Sequence, residues 1–189
     1  MKSVILSGIS ACDMQEAFSR YRGVVDTKVG YVNSEIENPT MEEIKSGEAG
    51  AALGVKVTYN PNKIDICDVL SLYFSMLRPR SEKSREEQAR DLNRSCIFYL
   101  SGEDIIQIEY YVKFMQNKGV KAIATTGEMV VNDSQREGPE PRYLYVNYTK
   151  ALNFMELPEE EQHYLRKHPE APREIDLEAL ERDGIIAKN

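Results

Sequence analysis

The sequence predicts an α+β domain in which helices pack against a sheet in two layers. Strand-like and helix-like segments alternate along the chain. The strand-like segments are short and apolar or alternating in polarity, and the helix-like segments are longer, with apolar residues at helical spacing. Several connections between these stretches are tight, and some neighbouring strands have the pattern of hairpins. Both features favour a two-layer α+β sandwich over a doubly wound parallel sheet.

The predicted strands are stretches of β-branched, apolar or alternating residues: Lys2–Ser7, Val24–Val32, Ala52–Tyr59, 95–100, 120–125 and 142–148. Helices are predicted between them, one ending before Gly23 and others opened by Thr40, Asp65 and Ser101. Thr40 is followed three residues later by Glu43, which is the pattern of a capping box. The charged stretch 78–90 and the polar stretch 133–141 are predicted to be loops.

The length and composition fit one domain. The chain has 189 residues, of which 41% are hydrophobic and 29% charged, a balance typical of globular proteins. We therefore predict a single domain over 1–189. Its core is expected to occupy about residues 1–170, and 171–189 is expected to lie across the surface as a tail with a short charged helix.

The charge and the cysteines limit the classes of function. The formal net charge of −7 argues against a general nucleic-acid binder, which needs basic residues to neutralise phosphates. Cys12, Cys67 and Cys96 are odd in number and form no CxxC pair, which suits a reducing cytoplasm. Two histidines make a zinc site improbable, and no apolar run reaches the roughly 20 residues of a membrane span. We expect a cytoplasmic protein with no metal, no cofactor, no nucleic-acid partner and no membrane contact.

The first residues also have features of a targeting signal. Lys2, the apolar residues after it and the sequence Ile-Ser-Ala-Cys ending at Cys12 resemble a bacterial lipoprotein cleavage site. The apolar stretch is short and interrupted by Ser7, Gly8 and Ser10, whereas a signal core runs about 7–15 residues. We therefore interpret it as a first core strand that leads into a helix.

Five segments, in order, share the pattern of one family. They are GISACDMQEAFSRYRGV (8–24), ENPTMEEIKSGEAG (37–50), VKVTYNP (55–61), LNRSCIFYL (92–100) and EEEQHYLRKHP (159–169). Together they resemble the A-type peptide methionine sulfoxide reductases, with an insertion near 127–141. The resemblance implies the ferredoxin-like sandwich of that family, with a mixed sheet and additional elements.

The resemblance also implies a chemistry. Such enzymes attack a sulfoxide sulfur with a cysteine thiolate, which becomes a sulfenic acid and is resolved by a second thiol. A carboxylic acid and two tyrosines bind the sulfoxide oxygen, and an aromatic pair holds the S-methyl group.

At each of these positions, this sequence has a residue of different chemistry. The nucleophile position holds Ser10, whose oxygen cannot enter the sulfenic acid–disulfide cycle. The remaining positions hold Ala11 and Cys12 for the aromatic pair, Gln15 for the glutamate of the first motif, Met41 for the tyrosine after Asn-Pro-Thr, Ala51 and Leu53 for the histidine and acid, Gln88 for an aspartate, Asn93 for the second tyrosine, Glu161 for the closing histidine and Arg173 for a resolving cysteine.

Three functional hypotheses follow. The first is a catalytically inactive homologue that acts as a binding or regulatory protein, with a protein or peptide segment at the former substrate groove. The alternative is a divergent reductase or other thiol enzyme that uses Cys12, since a helix N-terminus lowers a thiol pKa. A third is a purely structural subunit. Met41, Ala51 and Leu53 either fill the old pocket or line a new apolar site, while Cys67 and Cys96 are expected in the core.

Overall fold

The computed structural model describes residues 1–77, 91–116 and 146–188. The strands are β1 (Lys2–Ser7), β2 (Val24–Val32), β3 (Ala52–Tyr59), β4 (Cys96–Tyr99), β5 (Asn147–Lys150) and β6 (Phe154–Glu156). The helices are α1 (Ala11–Ser19), α2 (Met41–Ser46), α3 (Ile66–Met76), α4 (Ile105–Gln116), α5 (Tyr164–Lys167) and α6 (Leu177–Arg182). The first three strands match their predicted bounds.

Side-chain caps begin the helices where the sequence predicts. The Thr40 hydroxyl accepts a hydrogen bond from the Glu43 amide (3.2 Å), and the Glu43 carboxylate accepts one from the Thr40 amide (2.7 Å). Asp65 and Asp68 form the same reciprocal pair at the start of α3. These bonds satisfy amides that have no partner within the helix, which explains why α2 and α3 begin at these residues.

The strands form one mixed sheet in the order β5-β4-β1-β3-β2-β6. Within it, β4-β1-β3-β2 are antiparallel neighbours, and β5 pairs with β4 in parallel. Because α1 joins β1 to β2 and α3 joins β3 to β4, this central part has the split βαβ arrangement of ferredoxin-like folds. The predicted α+β class and ferredoxin-like sandwich are therefore confirmed.

The sheet is strongly curved. Its two edge strands, β5 and β6, are joined by only residues 151–153. A flat sheet of six strands would separate its edges by about 24 Å, whereas such a linker reaches about 14 Å. Asn33, just after β2, accordingly bonds to the end of β5 and to the linker: its side chain donates to the Lys150 carbonyl (2.9 Å) and accepts from the Leu152 amide (2.7 Å).

The main core lies between the sheet and the helices α1, α3 and α4. It is closed at one side by the C-terminal segment, which was predicted to lie across the surface with little apolar content. Leu177, Leu180 and Ile186 of that segment are buried in the main core. Arg20, just after α1, donates to the Ala187 carbonyl, and the Ala187 amide donates back to the Arg20 carbonyl. The segment is therefore packed against α1 as part of the fold.

Other predicted segments lie wholly or partly outside the described residues. The predicted strand 120–125 and the loops 78–90 and 133–141 are outside, and the predicted strand 142–148 overlaps the start of β5. β6 was not predicted. In the three described ranges, every helix is too short or too polar to cross a membrane.

Candidate functional site

Ser10 stands where β1 passes into α1. Gly8 lies between them with φ +118°. A Cβ on it would lie 2.5 Å from the Ser95 hydroxyl oxygen, so only glycine fits at this position. Ser10 is the N-cap of α1, and its hydroxyl accepts a long hydrogen bond from the Asp13 amide (3.4 Å). A serine at this position therefore has a structural role, because its oxygen caps the helix.

The register of the sheet gathers several predicted site residues at one end of the strands. Ser7, the last residue of β1, pairs with Gly54 on β3 and Cys96 on β4. Leu53 lies one residue beyond Gly54 and is paired with Tyr31 on β2. The Leu53 and Tyr31 side chains thus lie at the sheet end beside the N-terminus of α1.

The residues that replace the polar pocket differ in exposure. Ala51 is buried in a small cluster with Ile44 and Ala49, so it fills space. Met41 is 53% exposed, and its sulfur lies 4.0 Å from the Tyr31 hydroxyl. Leu53 is half-buried against the main core.

Ser10, Cys12, Tyr31, Met41 and Leu53 are all at least partly exposed here, and we call this set the remodelled site. Tyr31 was not among the predicted site residues.

Gln15 belongs to a buried amide network rather than to the open surface. Its Nε2 donates to the Gln162 side-chain oxygen (2.9 Å) and to the Thr27 carbonyl (3.1 Å), and its Oε1 accepts from the His163 amide (2.7 Å). Gln162 is fully buried and bonds to both the amide and the carbonyl of Val29. The pair joins α1 to the segment before α5 and to β2, so its polar groups are satisfied within the fold.

This network also positions Glu161. Cys12 and Gln15 are neighbours on one face of α1, and Val29 and Tyr31 point to the same face of β2. Gln162 contacts both Gln15 and β2, and the preceding Glu161 is near enough to Cys12 and Tyr31 for its charge to act on both groups.

The electrostatics of Cys12 oppose a thiolate. Burial raises the pKa of the Cys12 thiol, and the negative charges of Asp13 and Glu161 raise it further. Burial and Glu161 likewise raise the pKa of the Tyr31 phenol. The direction is opposite to the lowering by a helix N-terminus on which the Cys12 alternative relied.

Asn93 and its neighbour take part in holding the strand ends. Asn93 is exposed, and its amide donates to the Asp91 carboxylate (2.9 Å). Arg94 donates to the Gly50 (2.8 Å) and Ala51 (3.0 Å) carbonyls, and burial lowers the pKa of its guanidinium. Arg94 thus fixes the entry to β3. Gln88 lies outside the described residues.

The remaining predicted positions fall around α1 and in the core. Arg173 is exposed, and the next amide, that of Glu174, donates to the Asp13 carboxylate (3.0 Å), so position 173 lies near the first turn of α1. Cys96 is buried, which raises the pKa of its thiol to about 12, and Cys67 is half-buried. Within the described ranges, no group of three His, Cys, Asp or Glu residues is arranged to hold a metal ion.

The fold and the site together define a ferredoxin-like domain with its candidate site at the N-terminus of the first helix. A family profile described as peptide methionine sulfoxide reductase matches residues 2–132. The chain therefore belongs to the peptide methionine sulfoxide reductase family.

Relatives and solved structures agree with this assignment. The chain is similar to the peptide methionine sulfoxide reductase MsrA of Clostridium botulinum (strain Kyoto / Type A2), at 31% identity over 148 residues, 78% of this chain and 94% of that protein. The corresponding MsrA of Clostridium tetani is 32% identical over 147 residues, 78% of this chain and 90% of that protein. The fold is similar to that of reduced Mxr1 from Saccharomyces cerevisiae, with a TM-score of 0.65 over 90% of this chain and 87% of that one at 20% identity.

Proposed function

We propose that this protein is a non-catalytic member of its family, which binds a segment of another protein at the remodelled site. One observation carries the proposal: the site offers a partly exposed apolar surface, but its thiol is not activated and Leu53 stands where the family reaction needs an acid. The family reaction requires both an activated thiol and an acid, whereas binding of an apolar side chain requires neither.

The loss of catalysis follows from the chemistry of each position. Ser10 caps α1, and the Cys12 thiol is held in its neutral form, which is a poor nucleophile. Leu53 stands where the resemblance places the acid, and an aliphatic side chain cannot donate a proton. Removing one donor of this kind from an active site costs about 10²–10³ in rate, and here the acid and both tyrosines are replaced. No turnover is expected from the site.

The binding role follows from exposure. Met41, Leu53 and Tyr31 present a thioether, an aliphatic and an aromatic side chain at one end of the sheet. Exposed apolar groups gathered in this way are typical of contact surfaces. A flexible methionine next to an aromatic ring also adapts to different apolar side chains.

An activity assay separates this proposal from the Cys12 alternative. The purified protein and its Cys12→Ala variant are assayed with dithiothreitol on a methionine-S-sulfoxide peptide. We expect no turnover from either. Turnover that disappears in Cys12→Ala would make Cys12 a displaced nucleophile and overturn the proposal.

A binding assay tests the proposed binding of a protein segment at the remodelled site. The fluorescence anisotropy of a labelled peptide, Ser-Gly-Met-Gly-Ser, is measured against the protein and against Met41→Ser, with Ile106→Ser as a control. Ile106 is 78% exposed on α4, so both variants remove an exposed apolar side chain without opening the core. We expect the protein to bind the peptide. Met41→Ser should weaken this binding about fivefold, which corresponds to the loss of roughly one exposed apolar contact, and Ile106→Ser should leave it unchanged. Equal binding by both variants would place the contact elsewhere.

A further inference from the structure

An acidic turn lies next to the buried pair of Gln15 and Gln162. Glu159–Glu161 forms a 3₁₀ turn, and the next residue, Gln162, is fixed between α1 and β2 by its hydrogen bonds to Gln15 (2.9 Å) and to Val29 (2.9 Å). The turn therefore cannot swing away from the site without breaking buried hydrogen bonds. The carboxylate of Glu161 is close enough to Cys12 and Tyr31 for its charge to act on both groups.

The cations around this turn are used by other groups. Lys28 pairs with Glu156 (2.9 Å) and Glu159 (3.6 Å), and Arg166 pairs with Glu16 (3.0 Å). Lys167 donates to main-chain carbonyls of the turn. Across the described parts of the chain, neither Glu160 nor Glu161 has a cation within ion-pairing distance. Two exposed carboxylates are thus available to a partner.

Asp13, the residue after Cys12, adds a buried carboxylate whose charge acts on Cys12. It is 1% exposed, and one of its carboxylate oxygens accepts from the Glu174 amide (3.0 Å). Its Oδ1 has no hydrogen-bond partner among the described residues. Asp13 and Glu161 therefore place negative charge near Cys12, which disfavours the oxygen of a sulfoxide because that oxygen is itself an acceptor.

We infer that the segment bound at the remodelled site carries a lysine or arginine next to its apolar side chain. The inference rests on the proposed function and adds the charge of the partner to it. The apolar side chain would contact Met41 and Leu53, while the cation lies over the carboxylates of Glu160 and Glu161. A sulfoxide or an acidic flank would meet like charge or unpaired acceptors instead.

Three labelled peptides test the inference: Ser-Lys-Met-Lys-Ser, Ser-Gly-Met-Gly-Ser and Ser-Glu-Met-Glu-Ser. We expect the lysine peptide to bind about 3- to 10-fold more tightly than the glycine peptide, the range for one or two exposed charge pairs, and the glutamate peptide to bind most weakly. The advantage of lysine should shrink in 0.5 M salt, because exposed pairs are screened (the Debye length at 1 M is about 3 Å).

Substitutions test whether Glu160 and Glu161 supply the negative charge that the lysine peptide contacts. The double variant Glu160→Gln with Glu161→Gln should bring the lysine peptide to the affinity of the glycine peptide. Glu178→Gln, an exposed change on α6, should leave the lysine advantage intact. Equal affinities for the three peptides, or a lysine advantage that survives the double variant, would overturn the inference while leaving the proposed function standing. If no peptide binds the folded protein, the proposed function fails and the inference fails with it.

Discussion

The side-chain amides of Gln15 and Gln162 form a 2.9 Å hydrogen bond in the interior, although 147 residues separate them along the chain. Gln162 also donates to the Val29 and Leu157 carbonyls and accepts from the Val29 amide. This pair fixes the acidic turn beside α1, and so it determines both the stability of this corner and the charge next to Cys12.

We expect Gln162→Ala to lower the free energy of unfolding by about 3 kcal/mol, because it leaves the buried Val29 amide without its partner and removes one of the two acceptors of the Gln15 amide. Gln107→Ala, an exposed change on α4, is the control and should cost less than about 0.5 kcal/mol. Urea unfolding followed by circular dichroism measures both. Equal losses from the two variants would show that the amide pair contributes nothing.

Restoring the nucleophile alone should not restore the reaction. We expect Ser10→Cys to show no turnover of a methionine-S-sulfoxide peptide, since the acid and tyrosine positions still hold Leu53, Met41 and Asn93. Adding Leu53→Glu, Met41→Tyr and Asn93→Tyr should raise the rate by at least about 10², the cost of one missing donor. The rate of sulfide formation, followed by chromatography, measures both. Efficient turnover by Ser10→Cys alone would contradict the account of a site lost at several positions.

The Cys12 thiol should react slowly near neutral pH. Burial, Asp13 and Glu161 raise its pKa, so little thiolate is present until the pH passes the ordinary value for cysteine. Glu161→Gln removes a negative charge, lowers the pKa and should speed alkylation by iodoacetamide, measured by mass spectrometry. Cys67, whose pKa is raised by burial and by Asp65 and Asp68, serves as the internal control and should be unaffected. Alkylation of Cys12 faster than that of a free cysteine would refute this account.

Alkaline pH should destabilise the protein through Cys96. Burial raises the pKa of this thiol in the folded state to about 12, whereas the unfolded thiol ionises near its ordinary value of about 8.5. Between these values the folded state holds more protons, so the free energy of unfolding falls as the pH rises. From pH 8 to 10 the contribution is about 1–2 kcal/mol. In urea titrations at the two values, Cys96→Ala should lose less stability than the native protein; an identical loss would contradict the assignment.

The C-terminal segment should contribute to stability. Ile186 is 4% exposed, and its neighbour Ile185 is 37% exposed. We expect Ile186→Ala to cost about 2–4 kcal/mol and Ile185→Ala to cost less than about 1 kcal/mol. Thermal unfolding of the matched pair measures the difference. If both cost the same small amount, the segment is not part of the core.

Local patterns predicted much of the fold. Lys2–Ser7, Val24–Val32 and Ala52–Tyr59 were predicted to the residue because their polarity alternates or stays apolar over one strand length. The cap at Thr40 was predicted because Glu43 lies only three residues away, and Asp65 was predicted to open its helix from its residue type. The family was recognised from five ordered segments, and the identity of each replaced residue could be read directly from them.

The sequence by itself thus determined the first three strands and the helices that follow them, the family and the absence of a cysteine at position 10. Only the tertiary structure decided how these parts meet: the curvature that brings β5 towards β6, the burial of Ile186, the amide pair and the position of Glu161 beside Cys12. Each of these depends on contacts between residues far apart in the chain. The local hydrophobic periodicity of the sequence does not predict such contacts. For the same reason the sequence placed Cys12 at a helix N-terminus, whereas the pKa of its thiol depends on burial and on a carboxylate from a segment about 150 residues away.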